Sequence, residues 1–156
     1  MKIIEAKFEN WEDVQDLNHK SFLYHWKFDK TIDVNWPFSE EGINYYKEST
    51  QKNNCKTFLA FSDDDEVIGY ICCSMENEYS YRLYKGKKLE ITAMFVLDEY
   101  RRSGVGRKLV EKAEVYAKEN GLSRMFVLCS HDNPKSLEFY RSVGLVDYTV
   151  ELEKEI

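Results

Sequence analysis

Leu89 to Gly121 read as a strand, a glycine-punctuated loop and a helix, joined at Arg101-Arg102-Ser103-Gly104-Val105-Gly106-Arg107. No other stretch constrains the fold as tightly. A strand followed by a helix and then by the apolar run Met125-Phe126-Val127-Leu128-Cys129 makes a right-handed βαβ unit. Two glycines let the backbone of the junction turn tightly with bare N–H groups outward. A helix N-terminus adds unpaired donors and roughly half a positive charge, so the junction suits an anion. Arginines at 101, 102 and 107 add formal positive charge, which points to phosphate.

The spacing decides which phosphate ligand. A dinucleotide fingerprint needs three glycines as G-x-G-x-x-G and an acidic residue about 20 positions later. Here only Gly104 and Gly106 exist, and Leu109 stands where the third glycine belongs. That departure, with the missing ribose-binding acid, argues against an FMN- or nucleotide-binding α/β protein. A P-loop is absent as well. What remains is R-x-x-G-x-G over Arg101 to Gly106, following Phe95-Val96-Leu97-Asp98-Glu99-Tyr100. A second segment, Asn133-Pro134-Lys135-Ser136-Leu137-Glu138-Phe139-Tyr140-Arg141-Ser142-Val143-Gly144-Leu145, opens with a helix cap and closes with a helix stop.

Taken in order, the two segments resemble the pyrophosphate-binding motif and the last signature of the GNAT superfamily, the acyl-CoA-dependent N-acetyltransferases. The resemblance covers about 89–145; the first 55 residues fit it only by element order. It implies an α/β (α+β) fold with a mixed, mostly antiparallel central sheet, helices on both faces and a βαβ acetyl-CoA-binding unit. It also implies that Arg101, Arg102, Ser103, Gly104, Val105, Gly106 and Arg107 cradle the pyrophosphate. Met94, Phe95 and Val96 would then pair through their backbone with the pantetheine amides, and Asn133, Ser136 and Tyr140 would lie beside the CoA arm. Leu128 stands where the ribosomal-protein-acetylating branch carries a glutamate, which speaks against that subgroup.

The chemistry asks for two more groups. The departing thiolate gains from a nearby O–H donor, and the resemblance places Tyr140 there; a tyrosine packed on the sheet is the other reading. The acceptor amine must lose its proton before it attacks. Glu90 is the candidate base: it stands on a strand where an acid is expensive to bury, and eleven residues before Arg101, an offset that resembles that of the basic glutamate in the histone-acetylating branch of the family. Equally, Glu90 could be a strand-end carboxylate paired to Lys87 or Lys88. Strict alternation puts residues 90, 92, 94 and 96 on one face and Leu89, Ile91, Ala93 and Phe95 on the other.

Elsewhere the chain reads as a strand over 2–8, a helix from Asn10 to about Trp26, an irregular stretch to Phe38, and a helix from Ser39 to about Lys52. A hairpin follows over 56–62 and 66–76, turning at Ser62-Asp63-Asp64-Asp65, and a last strand is expected at 147–153. Met125 to Cys129 reads as a strand covered on both faces. No linker or repeat interrupts 156 residues, so one N-acetyltransferase domain is expected over 1–156.

Tyr24, Trp26, Trp36, Phe38, Tyr45, Tyr79, Tyr81 and Tyr84, with several carboxylates, suit a cationic amine acceptor of a small molecule or a peptide, core packing of many of these rings being the other reading. The net charge of −6 disfavours nucleic acid as partner. No window of 18 apolar residues and no signal peptide stand in the sequence, so no membrane partner is expected. Cys55, Cys72, Cys73 and Cys129 lack C-x-x-C spacing and read as buried thiols of a cytoplasmic protein. His19, His25 and His131 lack metal-ligand spacing, so acetyl-CoA is the expected co-substrate and no metal is expected. A non-catalytic acyl-CoA sensor is the alternative function, and the sequence leaves a homodimer open.

Overall fold

The computed structural model describes residues 1–52, 54–77 and 86–154. Its elements run β1 (Lys2–Glu5), α1 (Trp11–His25), α2 (Glu40–Ser49), β2 (Cys55–Phe61), β3 (Val67–Asn77), β4 (Lys87–Val96), α3 (Val105–Glu119), β5 (Met125–Val127) and α4 (Pro134–Ser142). The strands form one sheet in sequence order. β1 to β4 pair antiparallel, while β5 returns parallel to β4 after the α3 crossover. This is the mixed, mostly antiparallel sheet that the motifs imply.

Each face of the sheet buries its own cluster. On one side Ile71, Cys73, Leu89 and Ile91 meet the apolar stripe of α3, formed by Val105, Leu109, Ala113 and Tyr116. On the other, Leu59, Tyr70, Cys72 and Phe95 pack with Val14 and Leu17 of α1 and Tyr46 of α2. Helices therefore cover both faces. Ser39 fixes the start of α2, its Oγ accepting the Gly42 N–H at 3.0 Å. A buried polar chain ties the second layer together. Tyr46 Oη donates to Asn18 Oδ1, and Asn18 Nδ2 donates to Tyr70 Oη at 2.6 Å.

Three expectations are corrected. Segment 147–153 forms no strand; Val146, Val150 and Leu152 are 82%, 86% and 90% exposed, so its alternating side chains have no surface to bury against. β5 is shorter than its apolar run, only half-buried, and pairs with β4 through just three residues; Leu128 beyond it is exposed. It is not covered on both faces. The third correction concerns β4. Cys72 pairs with Ala93 and Cys73 with Ile91, so Thr92 is an extra residue in the ladder. Such a β-bulge shifts the side-chain phase by one. Leu89, Ile91, Met94 and Val96 consequently pack toward α3, while Ala93 and Phe95 face α1 and α2. The expected alternation holds only up to the bulge. Tyr79, Tyr81 and Tyr84 lie outside the described residues.

Candidate active site

The site begins where β4 and β5 part. Their parallel pairing ends at Ile91 and Val127, one residue before the bulge at Thr92. Beyond that point β5 no longer pairs with Met94, Phe95 and Val96. A cavity of about 1040 Å³ occupies the opening. Its wall draws Asn18, Phe22 and Tyr24 from α1, Trp36 from the following segment, Tyr45 and Tyr46 from α2, and Phe139 and Tyr140 from α4. Since α1 and α4 pack against opposite faces, the cavity passes through the sheet at the gap. Two ligands could thus meet there from opposite sides.

One mouth of the cavity reaches the start of α3. Arg102 and Gly104 both adopt left-handed backbone, with φ of 62° and 91°. Alternating conformations of this kind turn successive N–H groups toward one concavity, and α3 adds its own unpaired first-turn donors. A Cβ added to Gly104 would meet nothing within 4 Å, whereas one on Gly106 would come within 3.1 Å of the Phe139 ring. The two glycines therefore serve different ends. Gly104 takes the left-handed turn with open space beside it, and Gly106 lets α3 close on α4.

The arginines likewise divide. Arg101 donates from Nε to the Val96 carbonyl at 3.0 Å and pairs with Asp98 at 2.8 Å. Its guanidinium lies 4.7 Å from the Tyr24 ring and 5.2 Å from that of Phe95. Arg107 donates to the Ser142 carbonyl at 3.1 Å and so pins the end of α4. Arg101 and Arg102 line the cavity, but Ser103, Val105 and Arg107 do not, and the Val105 side chain is core. What Val105 offers a ligand is its backbone.

On α4, Asn133 caps the helix by accepting the Ser136 N–H at 3.3 Å. Its Nδ2 is buried without a partner among the described residues, and Asn133 is not part of the cavity wall. Ser136 and Tyr140 line the cavity. Burial drives the Tyr140 hydroxyl well above the ordinary phenol range, with Cys129 and Cys73 adding to it. It stays protonated at neutral pH and so keeps a proton to donate.

Glu90 falls on the α1/α2 face, with Ser74 as its cross-strand partner. Burial raises its pKa, the neighbouring Glu76 adds to the rise, and Lys88 opposes it. Tyr45, whose hydroxyl is pushed up to about 12 by burial and then by Cys72, Cys55 and Glu90, lines the cavity. Glu90 is not among the described residues of the wall. Sequence reasoning missed Asn18, Asp33 and the Thr92 bulge. A polar residue inside the apolar stripe of α1 was the one signal for Asn18. Nothing local marks a bulge.

Comparison with known proteins agrees with this geometry. The sequence profile of the acetyltransferase (GNAT) family matches residues 11–145. An uncharacterized N-acetyltransferase of Chlorobaculum tepidum is 32% identical over 120 residues, which cover 76% of this chain and 66% of that protein. The chain thus spans about two thirds of the length of such curated relatives. Among solved structures, a tetramutant of a Bacillus halodurans protein superposes with a TM-score of 0.88 at 18% identity, covering 100% of both chains. An aminoglycoside N-acetyltransferase solved with CoA superposes with a TM-score of 0.78 at 18% identity, covering 99% of this chain and 93% of that one. Those structural likenesses concern the fold.

Proposed function

The chain belongs to the acetyltransferase (GNAT) family, and we propose that it moves an acetyl group from acetyl-CoA directly to a primary amine of a small molecule or peptide. One observation carries this reading: the cavity that crosses the sheet joins a helix N-terminus suited to pyrophosphate with an aromatic chamber on the opposite face. The backbone of Arg102 to Arg107 holds the pyrophosphate, and the edge of Met94 to Val96 beyond β5, its Val96 carbonyl already accepting from Arg101, takes the pantetheine amides on its remaining groups. Ser136 lies beside that arm on the wall, with Asn133 buried behind it.

The acceptor enters from the α1/α2 side. An ordinary alkylamine with a pKa near 10.4 is about one part in a thousand neutral at pH 7.4, a cost of roughly 4 kcal/mol. Desolvation by the aromatic wall lowers that pKa, and Glu90, its own pKa raised, takes the proton through water. The neutral nitrogen attacks the thioester carbonyl carbon. A C–N bond forms, the C–S bond breaks with its electron pair leaving on sulfur, and the nitrogen releases its remaining extra proton to water as the amide forms. Tyr140 Oη donates a hydrogen bond to that thiolate, which then takes up a proton from solvent. The four cysteines are all free, which fits a reducing, cytoplasmic setting. Release of free CoA from acetyl-CoA and an amine panel, followed with a thiol reagent, tests the proposal. Acetyl-CoA binding by calorimetry with no amine-dependent CoA release would make the chain a sensor instead.

A further inference from the structure

The acceptor end of the cavity is walled by rings. Trp36 stands at its centre, stacked on Phe22 at 6.2 Å and 21°, and in contact with Tyr45 at 5.6 Å and Tyr46 at 6.1 Å. Three elements supply them: α1, the segment before α2, and α2 itself. Among the described residues, Asp33 is the single carboxylate of this end. It is exposed at the rim, and one of its oxygens already accepts the Asn35 N–H at 2.9 Å. Glu138, the other acid of the wall, belongs to α4 at the opposite end.

Charge accounting then separates the amine classes. Each ammonium taken out of water needs a partner, or it costs several kcal/mol. A polyamine or aminosugar brings several cations, and among the described residues this end of the wall offers one exposed carboxylate, Glu90 lying outside the wall. An amine with a single nitrogen on an aromatic body asks for less. Its ring packs edge-to-face or offset against Trp36 and Tyr45. Its one ammonium is guided by Asp33 and loses its proton more readily as the apolar wall desolvates it.

We infer that the acceptor is an arylalkyl primary amine, held by the Phe22–Trp36–Tyr45–Tyr46 wall, and not a polycation. This rests on the acetyltransferase reading above. The test compares kcat/KM for 2-phenylethylamine and tryptamine with those for hexylamine, spermidine and kanamycin, each with saturating acetyl-CoA. Acetyl-CoA affinity is measured on the same samples by calorimetry. The arylalkyl amines should lead every other amine by at least tenfold. Trp36→Leu should shrink the ratio of 2-phenylethylamine to hexylamine at least fivefold, by raising KM for the aryl amine. Faster turnover of spermidine or kanamycin overturns the inference while leaving the acetyltransferase reading intact. Acetyl-CoA binding with no turnover of any of the five overturns it as well. Absence of acetyl-CoA binding sinks both.

Discussion

In the proposed reaction Glu90 takes the amine proton and Tyr140 donates a hydrogen bond to the leaving thiolate, and their surroundings push both groups in usable directions. Burial keeps the Tyr140 phenol protonated, so its hydroxyl is a donor with no acid–base cycle of its own. Tyr140→Phe removes a hydrogen bond that strengthens only as charge develops on sulfur. We expect kcat to fall roughly ten- to a thousand-fold with acetyl-CoA affinity nearly unchanged, read by steady-state kinetics alongside calorimetry. Glu90 has its pKa raised by burial first and by Glu76 second, which brings a carboxylate nearer to the working pH. Glu90→Gln should lower kcat/KM most near neutrality. Its deficit should shrink toward pH 9.5, where solution supplies more neutral amine. Parallel wild-type and mutant profiles from pH 6.5 to 9.5 would return Glu90 to the strand-end reading.

At the scale of elements, the phosphate loop shows why one motif holds two kinds of glycine. Gly104 sits at φ +91° with open space beside it, so Gly104→Val strains the turn and fills the concavity. Acetyl-CoA affinity should drop at least tenfold by calorimetry. Gly106→Val instead drives a side chain into Phe139, 3.1 Å from the added Cβ, and overpacking of this kind costs about 1–3 kcal/mol. That variant should lose thermal stability, while Gly104→Val should keep more of it. The motif was legible because its glycines stand at fixed offsets in the sequence. The division of labour was not, since Phe139 approaches from 33 residues away.

The molecule as a whole is two apolar clusters on either side of one sheet, and Asn18 links three elements in the second. Its amide joins Tyr46 of α2 to Tyr70 of β3. Asn18→Leu leaves two buried phenols unpartnered, a loss of about 1–3 kcal/mol. The midpoint in a thermal melt should fall by about 2–10 °C. Because Asn18 and Tyr46 also line the cavity, KM for the amine should rise more than that for acetyl-CoA. Sequence alone sufficed for what neighbours along the chain decide. The strand–loop–helix at Leu89 to Gly121, the Asn133 cap and the family resemblance all rest on spacing within one segment. The tertiary structure decided what depends on contacts between distant segments. It placed the extra residue at Thr92, which turns Ala93 and Phe95 onto the α1/α2 face that Glu90 already shares. It spent Arg101 and Arg107 on carbonyls of Val96 and Ser142. It also left 147–153 outside the sheet despite alternating apolar residues. Alternation says which side chains could share a face, and only the fold supplies a surface for that face to meet.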